Sequence, residues 1–186
     1  MGLLVSGLLL WSFVHLFKRL APVPYHALQD KIGVNGIKGL TTLLLFAAFM
    51  MLIFGYKAAP YIELYYLPDW SVHLNNLLMA ISIFLLVSSY GTGMVKAKLR
   101  HPMLMAAIFW SGAHLLVNGD FASIILFAGI AGWADAEIML INVRDTSWKP
   151  AEASWKGDLI SLAMTIPVFI IITILHGYLG PSPFPG

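Results

Sequence analysis

Cysteine is absent from the 186 residues, and charged side chains make up only 11% of them. Without cysteine, the chain has no disulfide bond, no thiolate metal ligand and no cysteine nucleophile. A soluble domain carries about a quarter charged residues, so the low charge excludes an ordinary soluble fold. The formal net charge of +2 is too small to indicate a nucleic acid as partner. With 59% hydrophobic residues, the composition predicts an integral membrane protein whose main partner is the lipid bilayer.

Six apolar segments are long enough to cross a membrane, since about 20 residues at about 1.5 Å each cover a hydrocarbon core of about 30 Å. We predict an all-α bundle of about six transmembrane helices in a single domain over 1–186. The short connection between the segments 102–118 and 121–141 predicts a tight helical hairpin, with Asp120 as the N-cap of the second helix. The six segments are 2–20, 37–56, 73–95, 102–118, 121–141 and 159–179.

The positions of the basic residues predict the orientation. Ten of the eleven lie in the connections 18–38, 94–101 and 142–158, and only Lys57 lies on the opposite side. The positive-inside rule therefore places those three connections in the cytoplasm and both termini on the non-cytoplasmic side. The connection 57–72 is rich in Tyr, Trp and Pro, which favours a position along the membrane interface.

Two of the six histidines, His15 and His114, lie inside apolar segments. Ionisable groups are costly within a membrane and tend to face the bundle interior with a function. Helical spacing gives each histidine a set of neighbours on its own face. Two interpretations are open: histidines that hydrogen-bond neighbouring helices, or axial ligands of a haem. The neighbours of His15 are Trp11, Ser12, Lys18 and Arg19, and those of His114 are Trp110, Ser111 and Asn118.

Haem suits these residues because imidazole is a normal axial ligand and apolar, aromatic walls fit the macrocycle. Lys18 and Arg19 would then meet the propionates. Counting along the helices puts His15 and His114 about 10–15 Å apart in depth, which a tilt or a submerged turn would reduce. A second pairing is therefore open, in which His101 joins His15, and His73 or His176 joins His114.

The segment Arg100-His101-Pro102 begins the fourth apolar run. Proline at the first helical position is ordinary helix initiation, and a cofactor-binding role is the competing interpretation. Downstream, Asp135 and Glu137 are about 200° apart on a helix, so they cannot share a face. We expect one of the two to pair with Arg100.

The order of residues in this region resembles the NnrU family, which includes a zeta-carotene isomerase branch. The resemblance rests on R-H-P-M…W-x-x-A-H-L-L-x-N-G-D-x-A-S over 100–123, with a histidine in the first span. Weaker matches in the same order are Gly33…Gly36-x-x-Gly39, Phe54-Gly55-Tyr56 and Pro68-x-Trp70.

The resemblance implies a multi-pass protein of the bacterial inner membrane and, from the isomerase branch, a b-type haem held by His15 and His114. That branch has a cysteine where this chain has Ser111, and serine cannot supply a thiolate to iron. The NnrU branch is linked to the production of active nitrite and nitric oxide reductases. The segment 144–157 departs from the isomerase branch and favours the NnrU side.

Four functions are consistent with these residues. Some of them are enzymatic and some are not, so the sequence leaves open whether the protein is an enzyme. The first is a haem protein that assists nitrogen-oxide respiration, with haem-handling or electron-transfer partners. The second is a haem-dependent isomerase of a polyene. The third is an S-adenosylmethionine-dependent membrane methyltransferase, which Leu104 weakens, because such enzymes usually have an aromatic residue there. The fourth is an assembly factor without a cofactor.

Overall fold

The computed structural model describes residues 1–179 and is all-helical, with 80% helix and no strand in that part of the chain. The predicted class is confirmed. The helices are α1 (Gly2–Leu20), α2 (Pro22–Lys57), α3 (Ser71–Tyr90), α4 (Met94–Lys98), α5 (Pro102–Leu115), α6 (Phe121–Arg144) and α7 (Trp155–Leu179). Residues 180–186, the end of the predicted domain 1–186, lie outside the described residues.

Five helices in the described chain are long and apolar enough to cross a membrane, namely α1, α2, α3, α6 and α7. The helix α5 is apolar but has only 14 residues. At about 1.5 Å per residue it is about 21 Å long, which is less than a hydrocarbon core of about 30 Å. The predicted count of six spans and the orientation of the termini therefore stay predictions.

The second helix begins earlier than its apolar segment. It starts at Pro22, so the predicted connection 18–38 is wrong as a loop and is helical over most of its length. Proline is well tolerated in a first helical turn, where its missing N–H has no acceptor. Inside α2, Gly33 has a φ of 78° and interrupts the helical geometry. Only glycine adopts that conformation without strain, so Gly33 is the turn glycine among the three glycines of this region.

The chain divides into two compact units. Unit 1 comprises residues 1–66 and 118–144, and in it α1 packs against α2 and α6. Close helix contact depends on glycine: a Cβ at Gly55 would lie 2.6 Å from the Leu4 Cα, and one at Gly7 would lie 2.9 Å from the Met51 Cβ. Small residues allow such approach within membranes.

Unit 2 comprises residues 67–117 and the chain from Asp145 onward, and in it α3 packs against α5 and α7. Its interior is rich in hydroxyl groups. Ser82 donates a hydrogen bond to the carbonyl of Ala106 (2.8 Å), and Thr165 donates to that of Ser161 (2.8 Å). The carboxylate of Asp158 on α7 accepts hydrogen bonds from the first amides of α4 at 2.9 and 3.0 Å.

The predicted hairpin of 102–118 and 121–141 stays a prediction, because its two helices belong to different units. Within their own units, α5 packs against α3, and α6 packs against α1 and α2. The Asp120 cap is confirmed, because its carboxylate accepts a hydrogen bond from the backbone N–H of Ser123 (3.0 Å).

Candidate functional site

His15 lies in unit 1 between two indole rings. Its ring centroid is 4.6 Å from that of Trp11 on the same helix and 4.6 Å from that of Trp133 on α6. Its Nδ1 is 2.9 Å from the carbonyl oxygen of Trp11. A carbonyl only accepts, so Nδ1 carries the proton and Nε2 keeps its lone pair in the neutral ring. The Nε1 atoms of Trp11 and Trp133 are buried and lack a hydrogen-bond partner among the described residues.

One turn further along α1, a buried carboxylate has a cationic partner. Glu137, 5% exposed, forms an ion pair with Arg19. Lys18 is exposed and lies 5.8 Å from the centre of the Tyr25 ring. Arg19, predicted to meet a propionate, thus already has a carboxylate partner within unit 1. Asp135 is exposed.

His114 lies in unit 2 and repeats the local geometry of His15. Its Nδ1 is 2.8 Å from the carbonyl oxygen of Trp110, and the two rings are 4.7 Å apart. The proton therefore lies on Nδ1 here as well. The ring of His176 on α7 is 6.4 Å from that of His114, at an interplanar angle of 44°. The structure thus brings together one of the pairs that the sequence left open.

The spacing of these two rings fits a single metal atom between them. A metal bound end-on by both rings, at about 2.0–2.1 Å per nitrogen, places the ring centres about 6 Å apart. No group of three or more His, Cys, Asp or Glu that could hold a bare metal ion occurs in the described residues. A porphyrin needs only axial ligands from the protein, so a pair of histidines suffices for haem.

Ser111 lies one turn before His114 and is fully buried. Its Oγ has no hydrogen-bond partner among the described residues. An unsatisfied buried hydroxyl costs about 1–3 kcal/mol, so a group that accepted its hydrogen bond would be stabilised there. This unsatisfied hydroxyl, one helical turn before His114, is compatible with a bound polar ligand or cofactor.

Asn118 belongs to unit 1, where its carbonyl accepts a hydrogen bond from the hydroxyl of Tyr65 (3.2 Å). Burial, with the nearby charge of Asp120, raises the pKa of Tyr65. The same end of unit 1 is closed by backbone contacts: the amides of Leu64 and Tyr65 donate to the carbonyl of Gly119 at 2.8 and 3.2 Å. Asn118 and Asp120 therefore stabilise this turn.

The segment Arg100-His101-Pro102 borders a cavity of about 410 Å³ within unit 2. Arg100 forms an ion pair with Asp145 (2.9 Å). Its expected pairing with Asp135 or Glu137, which belong to the other unit, stays a prediction. We call this space the Arg-His-Pro cavity. It is lined by Ser89, Lys96, Arg100, His101, Pro102, Met103, Leu104 and Trp148.

The pattern W-S-x-x-H occurs twice, at 11–15 and at 110–114, and the sequence prediction missed this repeat. Both copies have the same hydrogen bond from Nδ1 to the tryptophan carbonyl, and each unit contains one copy. Aligning the surroundings of the two membrane histidines would have revealed it. Because His15 and His114 belong to different units, their predicted pairing stays a prediction.

The fold and the two histidine segments define a helical membrane protein with imidazoles in its apolar helices. A family model described as "NnrU protein" matches residues 3–183. The chain belongs to the NnrU family. No curated protein and no solved structure matches it.

Proposed function

We propose that the protein binds b-type haem with His114 as one axial ligand and His176 as the other. The observation that supports this most is the 6.4 Å spacing of the two rings within unit 2. Both sequence-based pairings also include His114 as a ligand. When bound, the haem would supply one-electron chemistry and an affinity for small gaseous ligands such as nitric oxide.

The residues of the chain would prepare the site in advance. The carbonyl of Trp110 fixes the proton of His114 on Nδ1, which leaves Nε2 as the ligating nitrogen. The ring of Trp110 supplies an aromatic wall 4.7 Å away. The buried Oγ of Ser111 would donate a hydrogen bond toward the site. Serine is not oxidised or reduced here and cannot form a thiolate, so the site differs from one with a cysteine ligand.

The physiological role that we infer is support of nitrite and nitric oxide reductases from the bacterial inner membrane. Membership of the NnrU family supports this role. The absence of a thiol at residue 111 weighs against the isomerase alternative, since the resemblance to that branch includes a cysteine there.

The ligand assignment is tested by visible spectra of four histidine variants, purified in mild detergent after expression with ample haem precursor. We expect His114→Ala and His176→Ala each to abolish or shift the Soret band, because each removes one axial imidazole. His73→Ala is the matched control, since His73, like His176, is an exposed histidine of unit 2, whereas of these two only His176 has a ring close to that of His114. It should leave the spectrum unchanged.

The fourth variant, His15→Ala, separates the two pairings. If His176 is the second ligand, His15→Ala keeps a six-coordinate spectrum. Loss of that spectrum in His15→Ala but not in His176→Ala would contradict the proposed pair and favour His15 with His114. An unchanged spectrum in His114→Ala would contradict both.

A further inference from the structure

The Arg-His-Pro cavity has two cationic side chains in its wall, Lys96 and Arg100, and no carboxylate among its lining residues. Its volume of about 410 Å³ lies within the range of small-molecule sites, about 300–1,000 Å³. A cavity whose wall carries more positive than negative charge attracts an anion, because its walls focus the positive potential.

Arg100 is positioned in the wall by fixed contacts. Its Nη2 donates to the carboxylate of Asp145 (2.9 Å), and its guanidinium lies 5.8 Å from the centre of the Trp148 ring. Hydrogen bonds from the side chain and backbone of Ser147, followed by the charge of Arg100, hold the pKa of Asp145 below its ordinary value. Asp145 therefore stays ionised at neutral pH, and its carboxylate and its backbone carbonyl hold the guanidinium in place.

Lys96 is the uncompensated charge of the cavity. It is exposed and has no hydrogen bond or ion pair within the described part of the chain. The carboxylate of Asp158, which contacts α4, is already used by the amides of Met94 and Val95. An incoming anion would therefore neutralise Lys96 without displacing a partner.

Besides the polar residues Ser89 and His101, the rest of the wall is apolar. Pro102, Met103 and Leu104 form the first turn of α5, and Trp148 belongs to the connection between α6 and α7. Tryptophan is enriched at the level of lipid headgroups, and basic pockets between helices at that level bind anionic headgroups. We propose that the Arg-His-Pro cavity binds the phosphate of an anionic phospholipid headgroup.

Two other ligands fit less well. His114 lies twelve residues after Pro102, or about 18 Å along α5, so the cavity is remote from the proposed haem ligand. A cationic methyl donor such as S-adenosylmethionine would find two positive side chains and no carboxylate. The lipid site is therefore independent of the proposed haem site.

The test compares two lysines of α4. The full-length protein in neutral detergent is titrated with short-chain phosphatidylglycerol, and bound lipid is measured by native mass spectrometry. We expect Lys96→Gln to weaken binding about fivefold, since a basic residue at a membrane surface contributes about 1 kcal/mol toward anionic lipid. Lys98→Gln is the matched control, because Lys98 is also exposed on α4 but does not line the cavity.

Met103→Trp tests the cavity without changing charge, because the larger ring fills part of it. We expect weaker phosphatidylglycerol binding with unchanged helix content by circular dichroism. Equal losses in Lys96→Gln and Lys98→Gln would show diffuse surface attraction and overturn the site.

Two further arms distinguish the source of the anion. Short-chain phosphatidylcholine should bind more weakly than phosphatidylglycerol, and inorganic phosphate should compete only at far higher concentration. Competition by inorganic phosphate at the same concentration would overturn the lipid assignment. A shifted Soret band in Lys96→Gln would also overturn it, by assigning the cavity to haem.

Discussion

The same hydrogen bond sets the chemistry of both membrane histidines. In each, Nδ1 donates to the carbonyl four residues earlier, at 2.9 Å for His15 and 2.8 Å for His114. That carbonyl already accepts within the helix, so the side chain adds a second bond to it. The bond fixes one tautomer and one orientation of the imidazole ring. Binding a ligand therefore costs less side-chain entropy.

Both histidines could be identified from the sequence, because ionisable groups within apolar segments are rare and local spacing gives their neighbours on the helix. His176 could only be left as one option among several. Its place beside His114 depends on how α7 packs against α3. The polar residues Asp158, Ser161 and Thr165 mark one face of α7, but they do not indicate which histidine lies opposite His176.

The ion pair of Arg19 and Glu137 makes a prediction at the residue scale. Glu137→Gln leaves Arg19 without its carboxylate, and breaking a buried pair is strongly destabilising. Arg19 remains 33% exposed, so solvent reduces the loss to about 2 kcal/mol. A fluorescence-detected thermal melt in detergent should show a lower Tm.

Two variants control this measurement. Asp135→Asn removes an exposed carboxylate from the same helix and should leave the Tm unchanged. The double variant Arg19→Met with Glu137→Met should recover most of the loss, because apolar residues replace both charges. A Tm for Glu137→Gln equal to that of the parent would contradict the ion pair.

At the scale of elements, the contact of α1 with α2 depends on single glycines. A Cβ at Gly55 would press on the Leu4 backbone, whereas a Cβ at Gly39 in the same helix would meet nothing within 4 Å. The sequence could not separate these two, since both are glycines in an apolar helix. Only the rotation of α2 against α1 distinguishes the packed one from the open one.

These two glycines form a matched pair of variants. Gly55→Ala should destabilise the protein by about 1–3 kcal/mol, the usual cost of overpacking. Gly39→Ala should stabilise it by roughly 0.5–1 kcal/mol, because alanine favours a helix. Thermal melts in one detergent measure both. A Gly55→Ala melt at or above that of Gly39→Ala would contradict the helix contact.

The bounds of the elements were predictable to different degrees. The ends of α1 and α6 follow the apolar segments closely, and the Asp120 cap follows from its residue type and position. The start of α2 was missed because residues 22–36 are polar enough to resemble a loop. The hairpin would join helices of different units, so it stays a prediction.

At the scale of the whole molecule, one contact in each unit shows how the chain returns. Within unit 1, the amide of Phe121 donates to the carbonyl of Ile62 (2.8 Å), so the chain leaves and re-enters this unit at the same end. Within unit 2, Ser82 on α3 donates to the Ala106 carbonyl of α5, which packs along α3. The count of six crossings and the orientation of the termini stay predictions.

The absence of cysteine allows a direct test of this topology. Single substitutions Tyr61→Cys and Glu152→Cys place a thiol in two exposed segments that the charge distribution assigns to opposite sides. A membrane-impermeant maleimide added to intact spheroplasts should label Tyr61→Cys but not Glu152→Cys. The parent chain has no cysteine and is the unlabelled control. Labelling of both variants or of neither would contradict the predicted orientation.

The central claim is that this NnrU protein holds a b-type haem between two imidazoles. Its most direct test is the visible spectrum of the purified parent protein, recorded oxidised and then reduced with dithionite. We predict a Soret band and sharp bands on reduction, as six-coordinate b haem gives. A colourless preparation from cells supplied with haem precursor would contradict the claim.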